Sequence, residues 1–412
     1  MSLKKTDGMG GTRGWRWLAA LGATAALAAC GGGGGSDSGS AATDGSLRVA
    51  LTDAPSCYQH VYVTIQKVRV NQSATAGDQD AGWTDLTLAT PQRVDLVTLS
   101  NGVLQELGTM PLPAGHYTQV RLVLTDNTPA GSTAMANSVQ PIGGAETALD
   151  TPSAMQSGLK LRANFDVAAG QMADLVLDFD ACKSVVKAGN SGKFILKPVV
   201  SVVPRLVSGL SGYVSTSLPL GSTTVAAQQN GTTVRSTSPN ASGSFSIPYL
   251  QPGTYTLVVT ADGRSTAVVT NVPVGTATTV VNGTATAIAP PVSAMGTITG
   301  GVTASSVSGS TTVSTAITDA DVTALQTLTG GPTIAVTGQA VDATLGTYSL
   351  RVPIAAPVKA SFPSGTATLN FVPDTAVAGQ YTVQAQAPGR TTQQLPATVS
   401  TGTTTTSVNF KY

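Results

Sequence analysis

The sequence contains little charge and few histidine side chains. Charged residues make up 10% of the 412 positions and the formal net charge is +1, which argues against nucleic-acid binding through a basic surface. The two histidines, His60 and His116, leave little material for proton transfer or a histidine-rich metal site. The G-x-S-x-G nucleophile motif, the phosphate-binding glycine loop and the H-E-x-x-H zinc motif do not occur. We therefore expect no catalysis, with an uncharacterised hydrolase as the alternative.

The N-terminal 29 residues have the composition of a secretory signal peptide. Four basic side chains precede an uncharged stretch at 18–29, which is too short to span a bilayer as a helix. It ends in L-A-A-C at 27–30, which resembles a bacterial lipobox. The resemblance implies cleavage before Cys30 and attachment of acyl chains, such as palmitate, to this cysteine. The alternative is an ordinary secretory signal with an incidental cysteine.

Glycine and serine dominate the segment that follows. Residues 30–45 contain no run of core-forming side chains, which predicts a flexible tether between the lipidated cysteine and the first folded domain. The residue directly after the cysteine is Gly31 and not an aspartate, and in this the sequence resembles lipoproteins that are sent to the outer membrane. We expect an exported protein in the bacterial cell envelope, held in the outer membrane by its N-terminal lipid anchor.

Two cysteines remain after lipidation of Cys30. In an oxidising compartment Cys57 and Cys182 are expected to form a disulfide. Closing so long a loop stabilises a fold by about 5 kcal/mol in the chain-entropy model. Two buried free thiols and a metal site are the alternatives, and the metal site lacks further soft ligands nearby.

Hydrophobic residues alternate with polar ones along most of the remaining chain, and no long segment has a helical period. Short runs between frequent turn residues predict an all-β fold of tandem antiparallel β-sandwiches, Ig-like or prealbumin-like. A change of phase at Gln66 and Lys67 predicts a β-bulge. Strands are expected at 94–99 and 366–371, and a long loop at 129–157.

A four-residue repeat opens three of the predicted strands, as G-H-Y-T at 115–118, G-T-Y-T at 253–256 and G-Q-Y-T at 379–382. Glycine suits the turn, and each tyrosine can bury its ring while its hydroxyl reaches backbone. In the first copy, the apolar residues that follow lie in the other phase from Tyr117. Motifs shared by the second and third repeat units are separated by different numbers of residues in different parts of the units. This difference predicts an insertion in the third unit within 351–376.

Residues 46–205 resemble the bacterial domain of unknown function 4382. The matching blocks are L-T-D-A-P at 51–55, L-P-A-G-H-Y-T-Q-V-R-L at 112–122, D-F-D-A-C at 178–182 and L-K-P-V-V at 196–200. The resemblance implies an exported lipoprotein module and brings no catalytic residues.

Residues 208–288 resemble the carboxypeptidase regulatory-like domain, a prealbumin-like sandwich with a carbohydrate-binding-like fold. The matching blocks are G-Y-V at 212–214, G-S-F-S-I at 243–247 and L-Q-P-G-T-Y-T-L at 250–257. Residues 295–412 are similar to this domain only in their latter half. We expect them to form a second, divergent β-sandwich that carries the insertion.

Three carboxylates are the candidates for a metal site. Asp174, Asp178 and Asp180 fall on one face of a predicted strand and could hold calcium, whereas a solvated strand face is the alternative. Asp53 is expected to accept hydrogen bonds from turn amides. Trp83, the only tryptophan after the signal peptide, is the candidate for ligand binding.

The expected function is that of a lipid-anchored cell-envelope protein with a structural, scaffolding or interaction role. A carbohydrate- or calcium-binding surface receptor is the alternative. No cofactor is expected apart from the calcium of that alternative. The expected partners are the membrane and an envelope protein or polysaccharide, and not nucleic acid.

Overall fold

A computed structural model describes residues 44–54, 57–127, 135–152, 158–308, 311–363, 368–402 and 405–412. The predicted signal peptide, Cys30 and most of the predicted tether lie outside these residues. The described chain is almost entirely β-strand, as the alternating pattern predicts, and forms several sheets stacked as sandwiches. Within the described ranges, no helix is long and apolar enough to cross a membrane.

The first domain packs two sheets around one hydrophobic core. Its strands are β1 Gly45–Asp53, β2 His60–Asn71, β3 Thr84–Asp95, β4 Gln105–Leu112, β5 Gly115–Leu124, β6 Ser138–Gln140, β7 Thr147–Asp150, β8 Leu159–Val167, β9 Met172–Phe179, β10 Val185–Ala188, β11 Lys193–Leu196 and β12 Val200–Pro204. The smaller sheet has the order β12-β9-β1-β4, and the larger has the order β10-β11-β7-β6-β2-β5-β8, with β3 paired to β2. A helix of one turn, α1 Ala181–Ser184, follows β9.

Most strand pairs are antiparallel, but β1 and β9 run parallel at the centre of the smaller sheet. The side chains buried between the two sheets include Leu47, Leu51, Ile65 and Phe179. β1 and β9 are central, and the second half of each strand, residues 49–53 and 175–179, is buried at every position.

The second and third domains share one strand order. The second contains β13 Gly209–Tyr213, β14 Thr224–Gln229, β15 Thr232–Thr237, β16 Ser244–Pro248, β17 Gly253–Thr260, β18 Ala267–Val274 and β19 Thr278–Val280. The third contains β20 Met295–Ser308, β21 Thr311–Ala316, β22 Asp321–Thr327, β23 Thr333–Ala340, β24 Thr347–Pro353, β25 Val358–Ser361, β26 Val372–Pro373, β27 Gln380–Gln386, β28 Gln393–Thr398, β29 Thr405–Ser407 and β30 Phe410–Lys411.

The sheet β15-β14-β17-β18 of the second domain corresponds to β23-β22-β27-β28 of the third. Likewise, β13 pairs antiparallel with β16 and parallel with β19, as β20 pairs antiparallel with β24 and parallel with β29. The structural repeat therefore extends through the third domain, including the half whose sequence shows little similarity.

The segment predicted as an insertion forms strands that leave their own domain. β25 pairs parallel with β18 of the second domain, and β26 pairs with β25, so the sheet continues as β15-β14-β17-β18-β25-β26. Val358 of β25 belongs to the core of the second domain, whereas Val258 and Val268 of the second domain pack in the core of the third. The second and third domains are thus interlocked.

Two local predictions are confirmed. β3 and β5, which both pair with β2, each change register between Ile65 and Lys67, at the predicted bulge. All three repeat tyrosines are buried, and their hydroxyls donate to backbone oxygens, Tyr117 to Pro113 at 2.9 Å and Tyr255 to Gln251 at 2.9 Å. Tyr381 differs, because its hydroxyl reaches across to Pro353 at 2.6 Å.

The first repeat lies beside a bulge in the neighbouring strand. The register of β5 against β8 changes between Tyr117 and Gln119, where two steps along β5 match three steps along β8, so the extra residue lies on β8. Tyr117 and the apolar residues in the other phase, Val120, Leu122 and Leu124, all belong to the core of the first domain.

Three strand and loop predictions are wrong in part. Residues 135–152, expected to lie in a loop, contain β6 and β7, which are short strands paired with each other and supported by larger neighbours. Only the start of 94–99 is extended, because Asp95 caps the 3-10 turn Leu96–Leu99 by accepting from Val97 N. Residues 368–371 are not strand, and 364–367 lie outside the described residues.

Candidate functional site

Three of the family-like sequence blocks meet at one end of the first domain. The amide of Ala54, after β1, donates to Phe179 O at 2.6 Å, and the amide of Asp180 donates to Val199 O at 2.9 Å. The carboxylate of Asp53 accepts from the amide of Ala181 at 3.0 Å. This site joins segments that are far apart in the sequence.

The disulfide between Cys57 and Cys182 closes the same end, as predicted, with 5.2 Å between the Cα atoms. Asp180 caps α1, because its carboxylate accepts from Lys183 N at 3.0 Å and pairs with Lys183 Nζ at 2.6 Å. The covalent bond and the cap together hold the chain on either side of Cys182.

Asp178 forms a buried ion pair with the second domain. Its Oδ1 lies 3.2 Å from Nη2 of Arg235, and the two side chains are only 8% and 5% exposed. Burial raises the pKa of Asp178 to about 6, although the Arg235 cation acts in the opposite direction. Such a pair is strongly destabilised when one partner is removed, because the other charge is then buried alone.

Asp53 is even less exposed than Asp178. Burial raises its pKa well above the usual range, and the hydrogen bond from the Ala181 amide opposes this shift. Its role in the structure is to accept that amide hydrogen bond across the strand ends, which agrees with the structural expectation for this residue.

The three carboxylates of the calcium hypothesis have separate partners. Asp174 pairs with Arg48, Asp178 with Arg235, and Asp180 with Lys183. The alternative of a solvated strand face is wrong for Asp178, because the second domain covers that part of β9. Among the described residues, no group of three or more His, Cys, Asp or Glu side chains could hold a metal ion.

The third domain contacts the first through a hairpin formed by β10 and β11. The amide of Gly189 at its tip donates to both carboxylate oxygens of Asp342, at 3.1 and 2.9 Å, and Lys197 Nζ donates to Thr318 O. Burial raises the pKa of Asp321, and Lys183 and Lys197 of the first domain oppose that rise. All three domains therefore meet near the disulfide.

Asn101 makes a second contact between the first and second domains. Its amide donates to Thr237 Oγ1 at 2.8 Å, and its side-chain oxygen accepts from the amide of Ser246 at 2.5 Å. The second bond satisfies an amide on the edge strand β16 that the sheet leaves unpaired.

A cleft of about 320 Å³ lies beside this contact. It is lined by uncharged side chains from the first two domains, including Tyr58, Gln59, Val97, Ile142 and Leu220. The hydroxyl of Tyr58 donates to Val185 O at 3.0 Å, so the ring that forms one wall is held in place. The cleft has the size of a small-ligand site but no charged group at its wall.

Trp83 lies between basic side chains. Its Nε1 donates to Gly77 O at 2.8 Å, and the guanidinium groups of Arg69 and Arg121 lie 4.8 and 4.7 Å from the ring centre. These cation–π contacts hold the half-buried ring within the loop that precedes β3.

The two histidines do not meet. His60 Nδ1 lies 2.6 Å from Asp95, and His116 Nδ1 lies 2.8 Å from Asp166. The pairing of β2 with β5 matches Asn71 with Gln119, which places the two histidines at opposite ends of these strands.

Sequence reasoning missed Arg235. A signal for it exists, because Arg235 is the only charged residue between Arg205 and Asp262. A lone charge in a strand of small and apolar residues needs a partner if it points inward, and here the partner comes from another domain.

Comparison with known families agrees with this architecture. Residues 44–198 match the family described as "Domain of unknown function (DUF4382)", and residues 209–286 match the "Carboxypeptidase regulatory-like domain". The chain carries these two domains in this order. The DUF4382 match ends before β12, and the second match ends before the third domain begins.

No curated protein matches the sequence. Among solved structures, the Bacillus anthracis TIE protein is 13% identical, with 90% of this chain and 51% of that chain covered and a TM-score of 0.18. The major pilin subunit of Bacillus cereus is 9% identical, with 89% and 99% covered and a TM-score of 0.17. This chain therefore spans about half the length of the first of these proteins.

Proposed function

We propose that this protein is a lipid-anchored scaffold of the bacterial cell envelope, in which three β-domains packed against one another present an interaction surface. The observation that carries the scaffold proposal is the buried contact of Asp178 with Arg235, together with the strands that the third domain contributes to the sheet of the second. Both features oppose independent movement of the domains. A rigid unit with no metal-binding cluster among its described residues suits a structural role better than metal-dependent catalysis.

The anchoring part of the proposal rests on the sequence at 27–30. Replacing Cys30 by alanine is expected to abolish incorporation of labelled palmitate and to leave an unprocessed precursor. Cys57→Ser is the matched control, because it removes another cysteine and is expected to keep the label. Labelling of Cys30→Ala as strong as that of the wild type contradicts the anchor.

The outer-membrane part of the proposal rests on Gly31. In the acylated protein, Gly31→Asp is expected to move the chain from the outer-membrane to the inner-membrane fraction, whereas Gly32→Asp serves as the control one residue further on. Identical fractionation of the wild type and Gly31→Asp contradicts this sorting.

A receptor for an uncharged saccharide is the second candidate, and the cleft beside Tyr58 is the observation that favours it. A ligand that binds only the folded state stabilises it by RT ln(1 + [L]/Kd), so the melting temperature rises with the logarithm of the ligand concentration above Kd. Thermal shifts of the chain from Ser36 to Tyr412 with calcium, a chelator and a panel of polysaccharides separate the two candidates. A scaffold shows no concentration-dependent shift, whereas a receptor shows one that Ile142→Asp removes.

A further inference from the structure

The chain enters the first domain against two turns. Gly45 at the start of β1 pairs with Leu112 of β4, and Ser46 pairs with Met172 of β9. The amide of Gly170 donates to Asp44 O at 3.4 Å, and the amide of Ser46 donates to Gln171 O at 2.9 Å. The first described residues therefore lie beside the β8–β9 turn at 168–171 and the β4–β5 turn at 113–114.

These two turns form a partly apolar surface, which we call the entry face. Its exposed residues are Pro113, Ala114, Ala168, Ala169, Gly170, Gln171 and Met172. Met172 is 51% exposed, which leaves a long apolar side chain in water. Charged side chains also lie near this face: Asp44 is exposed at its edge, Asp166 contacts His116, and Asp174 pairs with Arg48. Met172 is the side chain of the entry face that favours insertion into an apolar layer.

The tether limits how far this face can be from a membrane. Thirteen residues lie between Cys30 and Asp44, and a glycine- and serine-rich chain of this length has a root-mean-square span of roughly 20 Å. A short tether of this kind keeps the first domain at a millimolar effective concentration relative to the membrane surface. Even a weak contact between the two is then populated. The opposite end of β1, at Asp53, is about 26 Å further away.

That opposite end carries the contacts to the other domains. Thr52, one residue before the end of β1, pairs in the sheet with Asp178, which binds Arg235 of the second domain. The entry face is free of the contacts described above for Asn101, Asp178 and Gly189. A membrane on the entry face is therefore compatible with the packing of all three domains.

We propose that the entry face rests on the lipid head groups of the membrane that holds Cys30, with Met172 inserted at the head-group boundary. The partner is a lipid surface, and the contact fixes the orientation of the scaffold on the membrane. This inference rests on the proposed lipid anchor. It adds that the domain itself, and not only the acyl chains, touches the bilayer.

The test uses the full acylated chain in vesicles of phosphatidylethanolamine and phosphatidylglycerol. Met172→Cys is labelled with a polarity-sensitive fluorophore, and Val103→Cys is the matched control. Val103 is 50% exposed, close to the value for Met172, and lies at the other end of β1, where Thr52 Oγ1 donates to its carbonyl at 2.9 Å. The disulfide and the acylated Cys30 leave the introduced thiol as the reactive one.

The label at Met172 is expected to shift to shorter wavelength on vesicles and to be quenched several-fold more by head-group spin labels than the label at Val103. Equal quenching at both positions, or no quenching at either in an acylated protein, overturns the entry face while leaving the anchor intact. Absence of acyl label on Cys30 overturns both. A blue shift at Met172 without vesicles also overturns the proposal, because it indicates a protein contact at this face.

Discussion

Burial of Asp178 against Arg235 makes the stability of the domain interface depend on pH. Burial raises the pKa of Asp178 from 3.8 to about 6. Because the pKa is higher in the folded state, the associated stabilisation is fully present below pH 3.8 and is lost as the pH rises through 6. A shift of two pKa units corresponds to about 3 kcal/mol of unfolding free energy, lost between about pH 4 and 6.

Two variants separate the effects of the carboxylate and the cation. Asp178→Asn removes the titration and resembles the protonated carboxyl, so its unfolding free energy is expected to match that of the wild type near pH 4 and to exceed it by up to about 3 kcal/mol at pH 7.5. In Arg235→Met, Asp178 can instead take up a proton, so the loss is expected to be small near pH 4 and to grow toward pH 7.5. Lys67→Met, which breaks the more exposed pair with Asp85, is the control and is expected to cost about 1 kcal/mol or less.

The assay is urea denaturation of the chain from Ser36 to Tyr412 between pH 4 and 7.5, followed by circular dichroism. The decisive comparison is the slope of unfolding free energy against pH in the wild type and in Asp178→Asn. An unchanged slope in Asp178→Asn refutes the assignment of the titration to this carboxyl. A loss below about 0.5 kcal/mol in Arg235→Met at pH 7.5 refutes the importance of the buried pair.

Three further variants test the packing of the individual domains. Cys57→Ser opens the bridge to Cys182 and is expected to cost about 5 kcal/mol by the chain-entropy model, seen as a lower melting temperature that reductant no longer changes. Gly346→Ala is expected to destabilise strongly, because φ is +64° and a Cβ would lie 2.7 Å from a backbone oxygen; Gly330→Ala, at φ +59° with open space, is the milder control in the same urea assay. Tyr255→Phe loses one hydroxyl hydrogen bond and is expected to cost about 1 kcal/mol in urea, and no change in the midpoint contradicts the role of that bond.

Local patterns predicted much of the fold. The bulge at Gln66 and Lys67 was visible as a change of phase, because a one-residue shift moves every following side chain to the other face of the strand. The burial of the three repeat tyrosines was predictable because each follows a turn glycine and opens a strand. In contrast, the short strands β6 and β7 have too few residues to show any alternation, and they form because β2 offers an edge.

The candidate site was predicted less well. The pairing of Cys57 with Cys182 followed from the cysteine count, but the partners of Asp174, Asp178 and Asp180 did not follow from their even spacing. Spacing places side chains on one face of a strand and contains no information about what covers that face. Arg235 covers Asp178 from a different domain, and so an expected solvated face became a buried interface.

The sequence by itself determined the all-β class, the order of the two family-like domains and the disulfide, because each depends on residues within one strand, one block or one cysteine count. Only the tertiary structure decided that β25 and β26 of the third domain complete the sheet of the second. It also decided which charges are buried between domains. Both outcomes depend on contacts between residues about 60–150 positions apart, and pairings over such distances arise from the packing of whole domains and leave no periodic trace in the chain.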